Sequence, residues 1–282
     1  MNKYQSTKMF FLSIVISGTI LIQMIAYLIA LLSGTNLNFN IIEVCQNTLK
    51  MIGLTSLQYA VDILVLSTVL FSLWKIGTQI IHTIRLKAKL HQYENKKLSE
   101  EYNYRYGTGK EDFIVISYPV PVAITIGFIS PKIVLSTALV AVLSEEELEA
   151  VIFHEMYHKK SHDPLKLFLL SISAAILPYI PILKWFNENY RIIQEIMADE
   201  NAIEKQQSAI HIGSALLKML KVGKLDSKSF AYASFAESSV NYRIEYLLNP
   251  LQSNQIKIPL VMAMWSLIVF SLICIIFIYA LI

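Results

Sequence analysis

The chain has 282 residues, of which 55% are apolar and only 16% charged, and its mean hydropathy is +0.50. A typical soluble domain carries about 25% charged residues, so this balance excludes an ordinary soluble protein and also a disordered or collagen-like chain. The two cysteines, Cys45 and Cys274, are too far apart for a disulfide framework, and a net charge of +3 is too small to argue for nucleic acid, so no direct nucleic-acid partner is expected.

In chain order, residues 9–32 are uncharged. At about 1.5 Å per residue such a run is roughly 36 Å long as a helix, more than the hydrocarbon thickness. Lys3 and Lys8 precede it as in a signal peptide, but the run is too long for an h-region and no A-x-A-like site follows, so a span is expected. A second span is expected over residues 57–81, with Asp62 and Lys75 near its ends and Trp74 suited to an interfacial belt, and a third over 258–282. The short segment 33–56 holds only Lys50, whereas Arg85, Lys87, Lys89, Lys96, Lys97, Arg105 and Lys110 follow the second span. The positive-inside rule therefore puts the N-terminus and the body from residue 82 in the cytoplasm and segment 33–56 outside. The expected organisation is two spans with a short external loop over 1–81, a cytoplasmic body over 82–257 and a terminal span over 258–282. The lipid bilayer is the first partner.

The body opens with a charged, Tyr-rich stretch at 85–106, expected as a helix emerging from the membrane, and a linker closes at Gly107 and Gly109. Short β-like runs follow at 113–118, 123–128 and 132–136, punctuated by Pro119, Pro121, Gly127 and Pro131, and predict a small sheet. Ser144 followed by Glu147 is a capping box, predicting a helix to about Ser161 that Asp163-Pro164 stops. The apolar stretch 165–183 is long enough to span, but Pro178 and Pro181 interrupt it, leaving a re-entrant hairpin or a buried helix.

The predicted helix contains His154-Glu155-Met156-Tyr157-His158, an H-E-x-x-H pentad. Imidazoles four residues apart lie on one helical face and can share a tetrahedral ion, with the glutamate beside them to activate water. A catalytic zinc needs a third protein ligand, for which His162, Glu188, Glu195, Asp199 and His211 are candidates. His162 continues the four-residue series, yet three turns of a straight helix cannot wrap one ion. In the next predicted helix, 187–205, Glu195 and Asp199 share a face, a pattern suited to one carboxylate ligand and one acid holding an imidazole N–H.

The string GFISPKIVL at 127–135, then LSEEEL at 143–148, HEMYH with Asp163-Pro164 behind it, EIMADE at 195–200, and a weaker match at Arg243-Ile244 with Leu247-Leu248 resemble the BlaR/MecR-type membrane gluzincin peptidases. The resemblance covers residues 124–250. It implies Zn2+ held by His154, His158 and Glu195, Glu155 as general base and Asp199 as the acid supporting a ligand. It implies a mainly α multi-pass membrane protein with a cytoplasmic α+β zincin-like metallopeptidase body, built on a small sheet and the H-E-x-x-H helix. The implied activity is peptide hydrolysis on a protein substrate, a cytosolic transcriptional repressor, in signal transduction. The family's best-known members carry a large extracellular penicillin-binding sensor after the last span; here the chain ends at Ile282, so no such sensor is expected. Rival readings are a site-two intramembrane protease, disfavoured by the charges flanking the pentad, a membrane quality-control or prenyl-protein protease, and a non-catalytic zinc-containing transducer, which would not need Glu155. His211, Tyr242 and Arg243 are candidates for steadying an oxyanion. The sequence is silent on oligomeric state.

Overall fold

A computed structural model describes residues 3–34, 41–51, 53, 56–107, 111–223, 233–249 and 259–279. Parts of the expected external loop, the linker at 108–110 and the last residues of the expected terminal span lie outside these. The described residues are mostly helical with one small mixed sheet. It divides into two compact units, one of Met1–Ser6, Ile80–Phe168 and Asn189–Gln255, the other of Thr7–Gln79, Leu169–Glu188 and Ile256–Ile282.

The second of these units is built from apolar helices. Among the described residues two stretches are long and apolar enough to cross a membrane, Tyr4–Ser33 and Tyr59–Gln92. They belong to α1, Lys3–Ser33, and α3, Ser56–Gln92. Between them lies α2, Ile41–Met51, a helix with buried Ile42 and Val44 within the stretch expected as a simple loop. Asp62 of α3 is not left to reach for water: Tyr27 Oη donates to its Oδ1 at 2.6 Å and Gln46 Nε2 at 2.5 Å. The expected third span corresponds to α11, Leu260–Tyr279, of which Leu260–Val269 is described as a shorter apolar helix.

Stretch 165–183 resolves into two helices joined by a turn. Helix α7, Asp163–Ile176, ends before Pro178, and Pro181 starts α8, Pro181–Gln206, instead of breaking it. Proline suits that position because its missing N–H is one that a first turn leaves unsatisfied. The next N–H, of Ile182, donates to Ser266 Oγ of α11 at 3.1 Å. Ser173 of α7 meets Ser17 of α1 at 2.8 Å.

The other unit holds the sheet, in which the strand 132–136 lies between 113–116 and 123–126. Strands β1, Phe113–Ile116, and β3, Lys132–Ser136, run parallel; β2, Ala123–Ile126, is antiparallel to β3 and forms an edge. Gly127 makes the turn out of β2 at φ +103°, where a Cβ would meet Ser130 O at 3.1 Å, so glycine is required. Both faces of the sheet are covered. Phe113, Val115, Ile133 and Leu135 share a core with Leu148, Val151 and Ile152, while Ile114, Ile116 and Val134 pack on the opposite side with Leu90, Tyr118 and Ile126. That two-sided burial explains why β1 and β3 read as continuous apolar runs.

Helix α4, Lys96–Tyr106, precedes β1 and α5, Thr137–Val142, follows β3; the next helix, α6, Glu145–Ser161, carries Leu148, Val151 and Ile152. Its capping box forms as expected: Ser144 Oγ accepts from Glu147 N and Glu147 Oε2 accepts from Ser144 N at 2.8 Å. Glu147 also accepts from Ser214 Oγ and Lys218 Nζ, both at 2.7 Å, which ties α6 to α9, Ile210–Gly223. Burial works against the Glu147 carboxylate, and these donors outweigh it, holding it down to about 2. The helix ends in a left-handed residue, His162 at φ 53° and ψ 38°, and α7 begins at the next position.

Candidate metal centre

Two buried turns of α6 bring His154 and His158 to one face. Their Nε2 atoms lie 3.1 Å apart. Helix α8 delivers Glu195, whose Oε2 is 3.5 Å from His154 Nε2 and whose Oε1 is 3.7 Å from His158 Nε2. These three residues form a group able to hold a metal ion, each offering one ligand atom within 4.8 Å of the others.

The other ring nitrogen of each histidine faces a carboxylate. Asp163 Oδ2 is hydrogen-bonded to His158 Nδ1 at 2.8 Å. Asp199, fully buried one turn beyond Glu195, puts Oδ1 2.8 Å from His154 Nδ1, close enough for an ion pair but not aligned as a hydrogen bond. With both Nδ1 atoms facing acids, both Nε2 atoms are turned toward each other. Two lone pairs repel at 3.1 Å, so a shared proton or a cation has to stand between them. A tetrahedral zinc with Zn–N of about 2.0–2.1 Å sets nitrogen ligands about 3.3 Å apart, so the residues present fit such an ion. Without one, burial and Arg243 oppose an imidazolium at His154, and the Asp199 and Glu195 carboxylates outweigh both, raising it to about 9.

Arg243, on α10, Ala233–Leu248, closes the cluster. Its Nε and Nη2 donate to the two Asp199 oxygens at 2.8 and 2.7 Å, and its Nη1 to Glu195 Oε2 at 3.1 Å. Burial resists the charge on both acids; the guanidinium and the imidazoles prevail and hold both carboxyls below the usual range. Tyr246, one turn on, donates to Glu200 of α8. Glu155 is 7% exposed, and its Oε2 accepts from Thr125 Oγ1 of β2 at 2.7 Å.

Other candidates lie elsewhere. His162 is the exposed left-handed cap of α6, Glu188 pairs with Lys184 at 3.9 Å, and His211 lies on α9, away from the pair of histidines on α6. Tyr242 is 42% exposed. Arg243, a candidate for an oxyanion, is committed to carboxylates instead. In the sequence Asp163 reads only as part of a helix stop and Thr125 only as a residue of the strand run 123–128. The sequence signal for Asp163 is its place five residues after His158; Thr125 has none.

A family model described as BlaR1 peptidase M56 matches residues 10–247. The regulatory protein BlaR1 of Bacillus licheniformis is 26% identical over 182 residues, 60% of this chain and 30% of the relative. The methicillin resistance mecR1 protein of Staphylococcus aureus is 26% identical over 132 residues, 43% of this chain and 21% of the relative, and that of Staphylococcus epidermidis matches equally. The chain thus spans less than a third of the length of these curated relatives. No solved structure matches. With the family model covering most of its length, the chain belongs to the BlaR1 peptidase M56 family.

Proposed function

We propose that this protein is a multi-pass membrane zinc metalloendopeptidase of gluzincin type, with its site facing the cytoplasm. The domains are those expected above: spans over 1–81 and 258–282 and the peptidase body over 82–257. One observation carries the reading: His154, His158 and Glu195 converge from two helices, with both imidazoles backed by acids and Glu155 alongside. Two imidazoles and a carboxylate are a donor set that leaves a tetrahedral ion one open position, the arrangement of catalytic zinc.

Bound there, zinc supplies a Lewis acid for the scissile carbonyl and for a water molecule. The chain's residues do the rest. His154, His158 and Glu195 would hold the metal, while Asp199 and Asp163 stand against the Nδ1 atoms and leave both Nε2 atoms to serve as ligands. Glu155, a neighbour of the ligands and not one of them, takes a proton from the attacking water and returns it to the leaving amine. Arg243 keeps Asp199 and Glu195 ionised and in place. Among the described residues strand β2 has β3 on one side only, and its other edge offers backbone groups to an extended substrate segment.

The substrate is a cytosolic protein, a transcriptional repressor in a regulatory pathway; relatives named as a regulatory protein and as methicillin resistance proteins support that role. The test uses the full chain in lipid nanodiscs with fluorescently labelled casein as probe. Cleavage that is abolished by a chelator, restored by zinc and absent in Glu155→Gln supports the proposal. Chelator-resistant cleavage, or full activity in Glu155→Gln, overturns it.

A further inference from the structure

Strand β2 alternates faces, as its period of two requires. Ala123 packs into the core that includes α6 residues, and Ile126 packs on the opposite face of the sheet. Thr125 therefore shares the α6 face with Ala123, in register with Ile133 on β3. The neighbouring strand positions on that face, Phe113, Val115, Ile133 and Leu135, are all apolar. A valine would fill the same volume there with the same strand preference. Thr125 is half-buried there, and to the extent that its hydroxyl is shielded from water, leaving it unpaired costs free energy. Its partner is Glu155: Oγ1 lies 2.7 Å from the carboxylate Oε2 and 3.1 Å from the backbone carbonyl oxygen. One hydroxyl has one proton to give, and the charged and nearer acceptor takes it.

We infer that Thr125 is a positioning residue for Glu155, selecting the side-chain conformation in which Oε2 is anchored to β2 and Oε1 is the oxygen that handles the proton. Glutamate has three rotatable side-chain bonds, so an unanchored carboxylate samples orientations in which neither oxygen meets the water. A single charge-assisted hydrogen bond from the rigid sheet removes that freedom. The donor comes from the edge strand, so the same short element that offers its backbone to a substrate also sets the proton acceptor. This role rests on the reading of Glu155 as the base.

The test compares Thr125→Val, which keeps shape and removes the hydroxyl, with Thr125→Ser, which keeps the hydroxyl, in the full chain in nanodiscs with labelled casein. Thr125→Val lowers kcat about tenfold or more, the scale of a misplaced reacting group. KM and zinc content stay at wild-type values, and Thr125→Ser recovers most of kcat. A second readout needs no turnover: the unfolding midpoint of the metal-free protein. The drop caused by Thr125→Val is larger in the wild-type background than in Glu155→Ala, because only the former has a carboxylate to lose its donor. Wild-type kcat in Thr125→Val, failure of Thr125→Ser to recover it, or equal drops in the two backgrounds overturns the inference. Failure of the underlying reading is distinct: Glu155→Gln then cleaves casein normally while the difference in midpoints persists.

Discussion

At the scale of single residues, the centre is a set of buried charges that make sense only together. Glu195, Asp199 and Arg243 come from two helices and form three hydrogen bonds around one guanidinium. Removing one partner of such a buried group leaves the others unpaired, which costs about 3–5 kcal/mol. Arg243→Met should therefore lower the stability of the metal-free protein by about that amount, read from its denaturant or thermal midpoint. Asp163 supports His158 from behind, and Asp163→Asn should weaken zinc affinity by roughly 10–100-fold, measured by competition with a chromogenic chelator. An unchanged affinity would show that His158 is oriented by its packing alone. The pentad was legible because its spacing is local to one helix. The hydroxyl partner of Glu155 and the guanidinium partner of Asp199 were not, since Thr125 and Arg243 reach them only through tertiary packing.

At the scale of elements, α6 was the most legible part of the chain, because its capping box is local in sequence; its end is set by the left-handed His162, and Asp163-Pro164 opens α7 instead of only stopping α6. Ser144→Ala should cost about 1 kcal/mol of stability, the usual price of a lost cap. Glu147 adds a pH dependence. Its carboxyl is held at about 2 in the folded protein against an ordinary 4.5. A depressed carboxyl stabilises fully above its unfolded value, and that contribution disappears as pH falls from about 4.5 toward 2. The unfolding midpoint of the metal-free protein should fall across that window, and less steeply in Glu147→Gln; parallel curves would contradict the assignment. The small sheet was foreseen but its mixed order was not, since β2 and β3 pair as neighbours while β1 joins β3 in parallel through long-range contacts. Helices α2, α9 and α10 went unread. Ser266, serving as partner to the first turn of α8, shows why stretch 165–183 stayed ambiguous: its turn is completed by a residue far along the chain.

At the scale of the whole molecule, membrane placement and metal chemistry are separable questions with separate tests. Single cysteines at Asn47, Lys97 and Lys205, in a background lacking Cys45 and Cys274, should label from outside only at position 47. External labelling at 205 would contradict a cytoplasmic site. The metal assignment has its own direct test: zinc content of the purified full chain, compared among wild type, Glu155→Gln, Glu188→Ala and Glu195→Ala. The expected result is about one zinc per chain in the first three and loss of it in Glu195→Ala, because a catalytic site holds its ion through three protein ligands. Undiminished zinc in Glu195→Ala, or its absence from the wild type, would contradict the centre built by His154, His158 and Glu195.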